Sequence, residues 1–187
     1  MNLKMLIIAL SATFLILGCE DKKSEVENLD ENKSEILEQK PQIKDENITL
    51  NLVSGEKLNL SVKNANIKIA NNDKATLFVF FTTWCPPCRA EIPHLNNLSD
   101  KFTKDLNIVG ILLEEKSGDE INEFINRFKI KYEISNGESN YALEKAVGGV
   151  IGLPFSILYK ADGSHAATYT GLVPEEMLES DILRAVK

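Results

Sequence analysis

The sequence predicts an α/β domain on three observations. Residues 76–81 and 106–113 are almost unbroken apolar runs rich in β-branched and aromatic side chains, the pattern of strands buried on both faces of a sheet. Residues 86–104, 118–129 and 139–147 carry helical patterns between and after those runs. Residues 155–159 and 165–169 read as short strands around Ala161-Asp162-Gly163-Ser164, a turn signal that makes them a hairpin. At 187 residues, 43% apolar and 26% charged, the chain has the composition of one good-sized globular domain. Its net charge of −7 provides no basic stripe to displace counterions from phosphates, so nucleic acid is not an expected partner. Two histidines and three cysteines could build a four-ligand zinc site only by combining nearly all of them from scattered positions, and no metal is expected.

In chain order, Lys4 is followed by an uncharged run at residues 5–17. That run is too short to span a bilayer and suited to the core of an export signal. Leu15-Ile16-Leu17-Gly18-Cys19 resembles a bacterial lipobox, which implies a signal peptide at 1–18 and diacylglycerol on the Cys19 thiol. Export to an oxidising compartment would then leave two thiols, Cys85 and Cys88. Residues 20–46 hold ten acidic and five basic side chains and no aromatic, so most of the net negative charge lies there. Such a segment cannot bury enough apolar area to offset its ordering entropy; residues 19–46 are expected to be a lipid-anchored tether, with the folded domain at 47–187. Asp30-Glu31-Asn32-Lys33-Ser34 and Asp45-Glu46-Asn47-Ile48-Thr49 both contain an Asn-x-Ser/Thr acceptor with an acid two positions earlier, a pattern some bacteria require for glycosylating exported proteins. Asn32 and Asn47 are therefore candidate glycosylation sites.

Within the domain, Ile48, Leu50 and Leu52 alternate with polar residues, Ser54-Gly55-Glu56 turns the chain, and Leu58, Leu60 and Val62 alternate again, which predicts a β-hairpin. Asn71-Asn72-Asp73 is a further turn. Pro174 is expected to open a last helix reaching Val186, with Glu175 and Glu176 favourably placed in its first turn. No internal repeat is present.

The chemistry lies where the first buried strand runs into a helix, at Phe81-Thr82-Thr83-Trp84-Cys85-Pro86-Pro87-Cys88-Arg89. Two cysteines spaced Cys-x-x-Cys at a helix start can close a small disulfide, and the positive end of the helix favours the outer thiolate. Proline suits the first helical position because its missing N–H has no partner there anyway. A half zinc site would need a second cysteine pair, and haem attachment would need histidine where Arg89 stands.

The run Trp84-Cys85-Pro86-Pro87-Cys88-Arg89-Ala90-Glu91-Ile92-Pro93 resembles the active site of the thioredoxin superfamily, in particular the membrane-anchored TlpA/ResA-like thiol-disulfide oxidoreductases. Pro93, eight residues after Cys85, falls where such proteins kink the active-site helix. Gly152-Leu153-Pro154 before a strand resembles the family's cis-proline loop, which faces the dithiol and pairs with an extended substrate. Glu91 matches an acidic residue of the reductive subgroup. The implied fold is a central mixed β-sheet flanked by helices, here with the added N-terminal hairpin.

The resemblance implies a Cys85-Cys88 redox-active disulfide, no other cofactor, and an extracytoplasmic protein-disulfide reductase. Trp84, Pro86, Pro87, Leu153 and Pro154 would form the substrate surface and active-site support. The implied partners are protein disulfides, with apocytochrome c as a common client, and a DsbD/CcdA-type membrane electron donor. Thioredoxin proper keeps a buried aspartate where this chain has Val79, which leaves Glu91, three residues beyond Cys88, as the group to take a proton from the buried thiol. Phe155 replaces a common threonine after the cis-proline and is expected to make the substrate surface more apolar. His94 and His165 are expected to be structural or exposed. Two other readings stand beside the reductase: an oxidase or isomerase, and a copper-carrying metallochaperone, whose usual wider cysteine spacing and distant histidine are missing here.

Overall fold

The structure is a computed structural model and describes residues 45–187. The signal and lipobox with Cys19, Asn32, and the tether up to residue 44 lie outside the described residues. The first elements are three antiparallel strands, β1 (Glu46–Asn51), β2 (Lys57–Lys63) and β3 (Asn66–Ile69), in the order β1-β2-β3. The expected hairpin is thus the first two-thirds of a three-stranded sheet. Asn64 and Ala65 adopt positive φ of 50° and 65° and fold the chain straight back into the third strand.

The central sheet has the order β6-β5-β4-β7-β8 and is built from β4 (Ala75–Phe81), β5 (Leu106–Leu112), β6 (Glu133–Ser135), β7 (Phe155–Tyr159) and β8 (His165–Thr170). β4 pairs in parallel with β5 and antiparallel with β7, so the sheet is mixed. Four helices accompany it: α1 (Pro86–Lys101), α2 (Gly118–Phe128), α3 (Ser139–Ala146) and α4 (Glu175–Ala185). Each helix and strand expected from the sequence is present within a few residues of its expected ends. α1 stops at Lys101, and the short strand β6 is an addition.

Successive residues of a strand face opposite sides, and all seven residues of β4 are buried, so both faces of the sheet are covered. Phe78 and Phe80 point toward the N-terminal sheet and α3, packing with Leu50, Val62, Ile67 and Leu143. Leu77 and Val79 point the other way, against Leu95 and Leu98 of α1 and Leu178 and Ile182 of α4. Side chains of this size contribute roughly 1.5–3 kcal/mol each when fully buried. A third cluster lies under the cysteines and contains Phe81, Ile92, Leu112, Ile121 and Phe124.

Specific polar contacts fix the order of these layers. α2 starts with a reciprocal capping box between Ser117 and Glu120 and ends with Lys129 in the left-handed conformation. Buried Asn140 of α3 donates to the carbonyls of Leu112 and Ser135 at 2.8 Å each, tying that helix to β5 and β6. Gly163, in the β7–β8 turn at φ +87°, accepts from the Ile67 N–H at 2.9 Å and so joins that turn to β3. A Cβ at Gly163 would lie 2.9 Å from the Ile67 carbonyl oxygen, so only glycine fits. At the other side, Leu52 bridges Ser135, with the Val53 N–H on the Ile134 carbonyl and the Asn136 N–H on the Asn51 carbonyl.

Candidate active site

β4 delivers the cysteines. After Phe81 the chain leaves the sheet through Thr82-Thr83-Trp84, and Cys85 is the N-cap of α1, with Pro86 and Pro87 at the first helical positions. Both prolines would be costly inside a helix and are tolerated here because the first N–H groups of a helix have no intrahelical acceptor. Cys85 and Cys88 form a disulfide with Cα atoms 5.3 Å apart. The Cys88 N–H donates to Cys85 Sγ at 3.2 Å. Cys88 lies one turn into the helix, on the buried face it shares with Glu91, Ile92 and Leu95.

Trp84 is 67% exposed beside the disulfide. The Leu153-Pro154 bond is cis, as the loop pattern implies, and the Pro154 carbonyl accepts from the Gly171 N–H at 2.7 Å. Pro93 does not break α1, which runs continuously from Pro86 to Lys101. Phe155 corrects an expectation. It is a buried residue of β7 whose ring is tilted against that of Phe80, with ring centroids 6.0 Å apart, and adds nothing to the surface. The exposed apolar residues around this end of the sheet are Trp84, Ile151 at 88% exposure and Leu172 at 48%. Leu172 stands between Gly171, which is bonded to Pro154, and Val173, which is bonded to Glu91.

Glu91 is 1% exposed, not a solvated helix carboxylate. Its Oε1 accepts from the Val173 N–H at 3.4 Å, and its Oε2 is buried without a partner. Burial pushes the carboxyl up to about 7, with the Val173 hydrogen bond opposing the rise. Tyr132 is pushed upward as well, by its own burial and then by the neighbouring Glu91 charge. Gly110 underlies this region, where an added Cβ would lie 3.0 Å from the Phe81 ring. His94 is half-buried in α1, and His165 lies exposed in β8 with Nε2 2.7 Å from the Thr168 hydroxyl.

Two charged residues take positions the sequence did not reveal. The Thr83 N–H donates to a Glu114 carboxylate oxygen, and the Arg89 guanidinium donates to the Thr83 carbonyl at 3.0 Å. Glu114 could be found only from register: Phe81 pairs with Leu112, so a residue two past Leu112 falls beside Thr83. Asn47 is exposed in β1, beside a cleft of about 670 Å³ that also takes in Thr49, Asn59 and Asn72 and lies on the N-terminal sheet. Among the described residues no cluster of His, Cys, Asp and Glu could hold a metal ion. Among them, too, no helix is long and apolar enough to cross a membrane.

A cysteine pair at the start of a helix, with a cis-proline loop after it on a mixed sheet, defines a thioredoxin-like thiol-disulfide oxidoreductase that works through its own disulfide. Residues 43–180 match the AhpC/TSA family, and the chain belongs to that thioredoxin-like family. It is 25% identical over 122 residues to the sporulation thiol-disulfide oxidoreductase A of Bacillus subtilis, covering 64% of this chain and 73% of that one. It is 30% identical over 109 residues to the thiol-disulfide oxidoreductase ResA of Bacillus thuringiensis, covering 57% of this chain and 60% of ResA. The match therefore spans about three-fifths of the ResA chain. Two solved structures share the fold. One, described as a thiol:disulfide interchange protein DsbE from Chlorobium tepidum, has a TM-score of 0.61 at 23% identity and covers 77% of this chain and 96% of that one. The other, StoA from Bacillus subtilis, has a TM-score of 0.59 at 24% identity and covers 74% and 98%.

Proposed function

We propose that this oxidoreductase reduces disulfides of exported proteins, with apocytochrome c as its client. The Cys85 thiolate attacks one sulfur of the substrate disulfide, forming a mixed disulfide and expelling the other sulfur as thiolate. Cys88 then gives its proton to Glu91 and attacks Cys85 Sγ, releasing the second substrate thiolate. The substrate gains two electrons, and the Cys85-Cys88 disulfide reforms. Trp84, Leu153 and Pro154 receive the extended substrate, and a DsbD/CcdA-type membrane relay supplies the two electrons that restore the dithiol.

The observation that carries the direction is the hydrogen bond from Cys88 N–H to Cys85 Sγ at 3.2 Å. It is the backbone donor left in a first turn where Pro86 and Pro87 have none. Stabilising the thiolate stabilises the reduced form and makes a dithiol oxidising, so a poorly supplied thiolate favours a reductant. Equilibration of the full chain with glutathione should give a potential nearer thioredoxin's, about −270 mV, than the roughly −120 mV of a strong oxidant such as DsbA. A value above about −170 mV makes the protein an oxidant and rejects the proposed direction.

Residues 1–18 are proposed as the signal, Cys19 as the lipidated residue and 19–46 as the tether that holds the domain near its membrane donor outside the cytoplasm. Cys19→Ala should move the protein from the membrane to the soluble fraction or leave it unprocessed, because two acyl chains supply stable anchoring. A processed variant with unchanged membrane partition defeats the anchor. Asn32 and Asn47 are proposed as glycan acceptors, supported for Asn47 by its exposure on β1.

A further inference from the structure

We propose that Glu114 is a positioning residue of the dithiol, fixing Thr83 from one side while Arg89 fixes it from the other, and that its charge restrains formation of the Cys85 thiolate. In the parallel β4–β5 ladder the Leu113 N–H donates to the Phe81 carbonyl at 2.9 Å. Backbone groups of alternate residues face the same neighbour, so the Thr83 N–H is the next donor on that edge of β4. It is taken by the Glu114 side chain, not by a backbone carbonyl. A carboxylate thus occupies the place of the next rung, and the chain can leave the sheet toward Cys85 without stranding a half-buried donor. The Thr83 carbonyl is held from α1 by Arg89. Thr83 is consequently gripped between a carboxylate and a guanidinium, two residues before the attacking sulfur. Charge-assisted bonds of this kind are stronger than neutral ones.

The charges oppose one another at Cys85. Arg89 favours its thiolate; Glu114 disfavours it. Lys116 lies near enough to feel Glu114 but is itself bonded to Glu120 at 3.0 Å. From α2, Glu120, Glu123 and Arg127 face Thr83 across a cleft of about 210 Å³, and Glu91 shares the buried face of α1 with Cys88. Among these groups Glu114 is the carboxylate bonded to the segment that leads from β4 into Cys85, so its removal should have a readable effect on the thiol.

The inference rests on Cys85 being the attacking thiol, and its test separates the two. In the full chain, the pH dependence of Cys85 alkylation by iodoacetamide and the equilibrium with glutathione would be measured for the unaltered protein, Glu114→Gln and Glu114→Ala. Glutamine keeps an acceptor for Thr83 and removes the charge, so its alkylation profile should move to lower pH. Its equilibrium should favour the reduced form by about threefold, about 14 mV at 29.6 mV per tenfold. Alanine also frees Thr83, and its alkylation and exchange rates should fall about tenfold below those of the glutamine variant. Glu114→Gln with an unaltered profile and equilibrium overturns the proposal. So does Glu114→Ala that lowers the melting temperature but moves neither quantity, because that marks a purely structural bond. If Cys85 of the unaltered chain shows no pH-dependent alkylation while Cys88 does, the assignment of the attacking thiol fails, and this proposal with it.

Discussion

Cys88→Ser should turn the catalyst into a trap, with turnover lowered on the order of 10³-fold or more and a substrate protein held covalently on Cys85. The reason lies in where the two sulfurs sit. Both residues are buried to a similar degree, so exposure does not choose between them. Position does: Cys85 is the N-cap, where the helix end carries partial positive charge and the Cys88 N–H points at its sulfur. Cys88 is a turn further in, on the buried face shared with Glu91, where a thiolate has no comparable support. Without the Cys88 thiol the mixed disulfide has no internal exit. Non-reducing electrophoresis and peptide mass analysis should find the adduct on Cys85; equal adduct yields from Cys88→Ser and Cys85→Ser would reject the assignment.

The second large effect belongs to Glu91. Its carboxyl is raised to about 7 against an ordinary value of 4.5, chiefly by burial. Folding therefore favours the protonated form, and the stability associated with it is fully present below pH 4.5 and is lost as pH rises through 7. The difference corresponds to about 3 kcal/mol between those limits. Chemical denaturation of the full chain should show this loss between roughly pH 4 and 8, and Glu91→Gln should flatten the curve by removing the ionisation. The same substitution should abolish the step near pH 7 in the rate at which Cys88 resolves a mixed disulfide, because an amide cannot take the thiol proton. Retention of both pH dependences in Glu91→Gln would show that another group titrates there.

Local pattern made the central elements legible because each is large and internally consistent. β4 and β5 are almost unbroken apolar runs, and the cysteines with their two prolines mark the strand-to-helix junction without any knowledge of the sheet. β3 is hidden in the sequence because its four residues follow a two-residue turn containing Ala65, and alanine at positive φ carries no turn signal. β6 has three residues, too few for a period to show. The burial of Phe155 is not legible because sequence does not tell that β7 lies between β4 and β8, where both faces are covered. Glu91 could be read as a candidate from its spacing to Cys88, but its burial depends on Val173 approaching from the start of α4, a contact 82 residues away in sequence. Glu114 required the parallel register, which is a property of two strands and a crossover rather than of either strand.

The bridge between Leu52 and Ser135 has a consequence for solubility. An open sheet leaves two rows of unpaired backbone groups, each a template for adding a strand from another molecule. Here the chain running out of β1 closes one row: the Ile134 carbonyl and the Asn136 N–H on the outer side of β6 are both taken, by Val53 and Asn51. The N-terminal sheet thus doubles as an edge guard for the five-stranded sheet. The opposite edge is β8, six residues long and displaced by a register shift against β7 at Leu158/Tyr159, the kind of irregularity that spoils an edge for intermolecular pairing. An enzyme that holds other proteins by a transient covalent bond is thereby kept from holding them by its strand edges.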